Sequence, residues 1–153
     1  MGRCPSGMGL SPLSAILIGL QFVLIGLIIW PFGQSQFGIL SWLCMVAGVA
    51  FGLYVLAHNR IGNFNIRPEV KAAARLITTG PYRYLRHPMY SALLLFLLAW
   101  IVAANGPTKF GLWISLLLVL SVKASYEEQF LRQHFSEYSD YEARTKRFIP
   151  FLW

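Results

Sequence analysis

The sequence predicts an all-α polytopic membrane protein with about four transmembrane helices and a cytoplasmic C-terminal amphipathic helix. Three observations carry this. Of the 153 residues, 56% are hydrophobic and 12% charged, about half the charge of an ordinary soluble domain. Mean hydropathy is +0.55. The charge is gathered into two blocks that flank apolar runs, as loop charges flank membrane spans. The length suits a single membrane-embedded domain over residues 1–153.

The first span is expected over about 12–30, ending at Pro31, and the second over about 37–57. The third, about 89–104, and the fourth, about 108–124, are short against the roughly 20 residues that cross a hydrocarbon core. Lys109 and Lys123 are expected to snorkel from the ends of the fourth. All four are read as helices, because an unpaired strand in lipid leaves its backbone unsatisfied. Pro88 disfavours helical geometry at His87, so the third helix is expected to begin there. Between the second and third spans, residues 59–88 form a loop in which Lys71–Arg75 suits a short helical turn and Thr78-Thr79-Gly80-Pro81 a turn. The tail, 125–153, has helical spacing to about Tyr141, with Leu131, Phe135 and Tyr138 on one face. The fourth helix is expected to run on out of the membrane, or to hand over to a helix along its surface.

Loop charge sets the expected orientation. The turn after the first span has no basic residue, and the turn after the third has only Lys109. The 59–88 loop carries Arg60, Arg67, Lys71, Arg75, Arg83 and Arg86, and the tail carries Arg132, Arg144, Lys146 and Arg147. The positive-inside rule then puts the loop and both termini in the cytoplasm. The net charge of +7 has the same explanation. No nucleic-acid-binding motif accompanies it, so nucleic acid is not an expected partner. Cys4 and Cys44 have no metal or redox spacing, and no metal site is expected. Met1-Gly2 with Ser6 fits the N-myristoylation pattern formally, but such short patterns arise by chance and an ordinary short leader is the expected reading. The first span is too long for a signal-peptide core and lacks a clear cleavage site.

Chemistry concentrates at two polar clusters. One is Thr79-Gly80-Pro81-Tyr82-Arg83-Tyr84-Leu85-Arg86-His87-Pro88-Met89-Tyr90, at the start of an apolar helix whose free N–H groups favour an anion. The other is Glu127-Glu128, just past the fourth span. The third and fourth spans are antiparallel neighbours, so the two clusters should meet. Cationic and carboxylate poles suit a ligand bearing both acidic and amino or hydroxyl groups. Glu128 has Arg132 at i+4, which marks it as the surface member; Glu127 has Leu131 at i+4 and is expected to face inward. Tyr84 fits an interfacial belt, and His58 and His134 have no supporting pattern.

The segment Arg75–Tyr90, followed by Glu127-Glu128, Tyr138, Tyr141 and Arg147-Phe148-Ile149-Pro150, resembles the integral-membrane methyltransferases. These include isoprenylcysteine carboxyl methyltransferase and phosphatidylethanolamine N-methyltransferase relatives. Gly62-Asn63-Phe64-Asn65-Ile66-Arg67-Pro68 is similar to a loop of many prokaryotic members. The resemblance covers about the C-terminal 90 residues; the first two spans match only in being hydrophobic. It implies S-adenosylmethionine as cofactor and a lipophilic small-molecule or lipid acceptor reached from the bilayer. By the same resemblance, Arg86 and Glu127 would serve catalysis, and Tyr82, Arg83, His87, Pro88, Tyr90, Glu127 and Glu128 would enclose the cofactor. Several relatives have additional helices, so the acceptor pocket is not implied in detail. Two other readings stand beside it. One is a nicotinamide-dependent reductase like the sterol reductases, which share a similar C-terminal pattern but carry many more helices. The other is a non-enzymatic membrane scaffold or lipid-binding protein.

Overall fold

The computed structural model describes residues 12–30, 36–59, 76–104 and 106–149. These form five α-helices: α1 (Pro12–Ile29), α2 (Ile39–His58), α3 (Pro88–Ala104), α4 (Pro107–His134) and α5 (Tyr138–Arg144). A 3-10 turn, Gly80–Arg83, precedes α3. Among the described residues there is no strand, and the one isolated bridge joins Leu85 to Lys146 in parallel. The protein is an all-α polytopic membrane protein. Helices α1, α2 and α4 are long and apolar enough to cross a bilayer, and α3 is a shorter apolar helix. The expected turn at Lys71–Arg75 and the Gly62–Pro68 loop lie outside the described residues.

Each helix turns one stripe inward. On α1 the buried positions are Ser14, Leu17, Leu24 and Ile28, one face of a helix. This face packs on α4 and, to a lesser extent, on α3. On α2 the buried positions are Ser41, Gly48 and Val55, seven apart, and they face α3. The two backbones come close at Gly48: a Cβ there would lie 2.5 Å from the Phe96 nitrogen. Small residues let membrane helices approach in this way. The start of α2 is fastened to the end of α3, with Gln36 N–H donating to Ala103 O and Phe37 set edge-on to Trp100. Helix α3 is central, burying Leu94 and Leu97 in a core shared with α1 and α4. Outward positions such as Ile16, Phe22, Trp42, Leu43 and Leu118 are large, apolar and exposed, as expected where lipid is the solvent.

Helix α4 runs unbroken to His134, continuing past the fourth span as expected. It departs from expectation in two ways. Phe135 is extended and ends it, so Leu131, Phe135 and Tyr138 do not share one helix; α5 begins separately at Tyr138. The lysines do not snorkel either. Lys109 is 3% and Lys123 6% exposed. Lys123 lies on the inward face, one position before buried Ala124, and finds a polar partner on α1.

Candidate functional site

Helix α3 starts where expected. Pro88 is its first residue, where a missing N–H costs nothing. The chain reaches this point through Gly80, whose φ of +60° favours glycine. Its α-carbon also faces the His58 ring, which a Cβ would meet at 2.5 Å. His58, at the end of α2, lies 3.0 Å from Thr79 Oγ1 through Nε2 and so braces the turn before the site.

The tail returns alongside the motif. Lys146 N–H donates to Tyr84 O at 3.0 Å, Arg86 N–H to Lys146 O at 2.7 Å, and His87 N–H to Arg147 O at 3.1 Å. The Ser91 hydroxyl donates to Phe148 O at 2.6 Å. The Tyr141 hydroxyl donates to Tyr82 O at 2.7 Å. Burial pushes the Tyr82 phenol up to about 12 and that of Tyr141 higher still, so both stay neutral. These bonds consume donors at the start of α3. The His87 N–H is taken by the tail, Pro88 has none, and Tyr90 and Ser91 both donate to His87 O.

Beneath the strap sits Glu128. It is fully buried, on a stripe with Leu116, Leu120 and Ala124 at four-residue steps. Its Oε1 accepts from Arg86 Nε at 2.8 Å and lies 3.2 Å from His87 Nε2; its Oε2 accepts from Arg147 Nη2 at 2.6 Å. This corrects the expectation that Glu128 pairs with Arg132 on the surface. Residues 127 and 128 point about 100° apart, and the stripe through Leu116 selects 128. Arg132 instead holds Glu142 of α5 through two hydrogen bonds, 2.8 and 2.7 Å.

Arg86 is spent within the fold. Besides Glu128 it donates through Nη1 to Glu142 O and Thr145 O, at 3.0 and 2.6 Å. It therefore ties α4, α5 and the tail together. Glu127 is different: its side chain is 17% exposed, against 0% for Glu128. The Tyr90 hydroxyl donates to its Oε1 at 2.6 Å, and its Oε2 lies 3.5 Å from His87 Nδ1. The His87 and Tyr90 rings stack at 5.4 Å and 6°, and Phe148 tilts against both. The result is a wall of rings beside a partly open carboxylate.

The structure thus gathers Arg86, His87, Pro88, Tyr90, Glu127 and Glu128 at the meeting of α3 and α4. Tyr82 adjoins through its carbonyl contact with Tyr141. Arg83 is not brought in; it is exposed, with its guanidinium over the Tyr84 ring. Ser91, Glu142, Thr145 and Arg147 belong to the cluster but were not among the candidate residues. Arg147 stands in the quoted tail motif, whereas Ser91 and Thr145 act on main-chain carbonyls and leave no such pattern.

The fold and this cluster define a class: a polytopic membrane protein with a strapped, charged, ring-lined site at one end of its helices. Residues 38–138 match the phospholipid methyltransferase family, and the chain belongs to that family. It is also similar to probable protein-S-isoprenylcysteine O-methyltransferases of Oryza sativa subspecies indica and japonica. Each is 30% identical over 112 residues, 72% of this chain and 59% of the relative. The cobalt-zinc-cadmium resistance protein CzcN of Cupriavidus metallidurans is 34% identical over 83 residues, 50% of this chain and 36% of that protein. The matches thus span less than two thirds of the relatives' length.

Proposed function

We propose that this chain is an S-adenosylmethionine-dependent methyltransferase acting on a lipophilic or lipid acceptor at the cytoplasmic membrane face, with its membrane helices as one domain. The observation that carries the reading is the His87–Tyr90–Phe148 ring wall beside the partly open Glu127. The family match supports it over the reductase and scaffold readings.

The donor set fits the cofactor. Glu127 is the acceptor for an ammonium or ribose hydroxyls, since Tyr90 is its one close hydrogen-bond donor among the described residues. The rings offer flat apolar surface for adenine. Arg147 uses one nitrogen on Glu128 and is 23% exposed, so its other N–H groups suit a carboxylate. When bound by Glu127, Arg147 and the ring wall, the cofactor would supply an electrophilic sulfonium methyl for a lone pair of the acceptor. The protein's part is positioning in a dry site. Within it Arg86 and Glu128 act as positioning residues that hold the tail, His87 and Arg147 in place; Arg86 is reassigned from the catalytic role. Pro88 starts α3, and Tyr82 anchors α5.

The test is labelled methyl transfer from S-adenosylmethionine into a membrane lipid extract, with identification of the product. A labelled lipid is expected with the wild type, and at least about tenfold less of it with Glu127→Gln. Label incorporation equal in both would overturn the assignment.

A further inference from the structure

Lys123 is a membrane-helix lysine that is 6% exposed, about three turns inside the end of α4. A charged group so placed is costly and marks function more often than topology. Its ammonium has three N–H donors. One goes to Gln21 Oε1 at 3.0 Å, and the charge lies 5.3 Å from the Tyr90 ring centroid. No other hydrogen bond is made by Lys123 among the described residues, and none of their ion pairs joins it to Glu127. The two charges attract from one turn apart without direct contact, so that carboxylate does not consume the N–H groups of Lys123.

Gln21 carries the same message from the other side. It is the single amide or charged side chain of α1, and it falls on the inward stripe between Leu17 and Leu24. A lysine only donates, so the amide must turn its oxygen toward it, which leaves the amide NH2 as a further donor. That NH2 makes no hydrogen bond among the described residues. Two side chains from different helices thus bring unfilled donors to one place inside an apolar bundle. Lys123 and Glu127 are one turn apart on α4, about 6 Å along the axis. The donors sit beside the Tyr90–Glu127 edge of the proposed cofactor site.

We infer that Lys123 and Gln21 form an anion-receiving corner for the acceptor, seating a carboxylate or phosphodiester of a lipid next to the atom to be methylated. The inference rests on the methyltransferase reading for the word acceptor. The anion preference itself can be read without the cofactor.

The test is equilibrium binding to the full chain in neutral detergent, using two pairs of probes. The carboxylate pair is N-acetyl-S-farnesylcysteine and its neutral primary amide. The phosphodiester pair is dioleoylphosphatidylethanolamine and dioleoylglycerol. One pair is expected to show at least a tenfold preference for the charged member, and that pair identifies the source of the anion. Lys123→Met should abolish the preference while leaving the neutral probe's affinity unchanged; Lys123→Arg should keep it. Affinity for S-adenosylhomocysteine should change less than twofold in both variants. If wild type shows no preference in either pair, or Lys123→Met keeps it or weakens both members equally, the corner does not exist. Should Lys123→Met not fold, the wild-type ratios and Lys123→Arg decide. An anion preference without S-adenosylhomocysteine binding would sustain the corner and overturn the cofactor reading.

Discussion

Glu128 and Arg147, nineteen residues apart, meet at 2.6 Å over a carboxylate with no exposed surface. This contact closes the tail over the start of α3. Glu128 also holds Arg86 and faces His87, so one buried carboxylate organises three cationic or imidazole groups. Removing one partner of a buried ion pair typically costs about 3–5 kcal/mol, because the remaining charges are left uncompensated. Glu128→Gln should therefore lower stability by that order. Thermal unfolding in detergent checks it; an unchanged midpoint would show that the cluster is not needed for folding.

Arg86 should act through the strap. Its guanidinium holds Glu142 O and Thr145 O, with geometry that an ammonium cannot match. In Arg86→Lys, amide exchange should quicken at Lys146 and His87, whose hydrogens are held across the strap. The amides of α2 should be unaffected. Protection that is unchanged at Lys146 would assign Arg86 another role.

The α2–α3 contact predicts a contrast between glycines. Gly48→Ala would drive a methyl into the Phe96 backbone, at 2.5 Å from its nitrogen, and overpacking of this kind costs about 1–3 kcal/mol. Gly26→Ala meets nothing within 4 Å and should be neutral or stabilising. Equal unfolding midpoints for the two variants would contradict the close approach.

The Arg132–Glu142 pair is pH-sensitive. Hydrogen bonds from Arg132 hold the Glu142 carboxyl below its ordinary value, against the opposing effect of burial. A depressed carboxylate contributes stability that is fully present above its unfolded value, about 4.3. That contribution is lost as pH falls through the lower folded value. Arg132 is 44% exposed, so screening limits the pair to about 0.2–1 kcal/mol. A double-mutant cycle of Arg132→Ala and Glu142→Gln should give this coupling at pH 7 and none in strong acid. Coupling that grows on acidification would reverse the sign.

Much of this arrangement is legible in the sequence because membrane helices declare themselves by length and apolarity. The start of α3 follows from Pro88, and the meeting of the two polar clusters follows from a short turn between antiparallel spans. The rotation of α4 is harder to read. The i+4 relation of Glu128 to Arg132 is a weak surface rule, whereas Leu116, Leu120, Ala124 and Glu128 form a longer inward series that outweighs it. Snorkelling is the usual fate of a terminal lysine, and the partner that draws Lys123 inward, Gln21, is 102 residues away. The strap depends on main-chain hydrogen bonds from residues 84–87 to 146–147, which leave no side-chain pattern.

The central claim is that Glu127, and not only the buried Glu128, faces the cofactor. Calorimetric titration of S-adenosylhomocysteine into the purified full chain tests it most directly. Glu127→Gln should fold with a wild-type unfolding midpoint and bind at least about tenfold more weakly, from the loss of a charge-assisted hydrogen bond worth about 1.5–3 kcal/mol. Tyr90→Phe, which removes the hydroxyl that orients Glu127 at 2.6 Å, should weaken binding in the same direction and by less. Undiminished affinity in a folded Glu127→Gln protein would contradict the account.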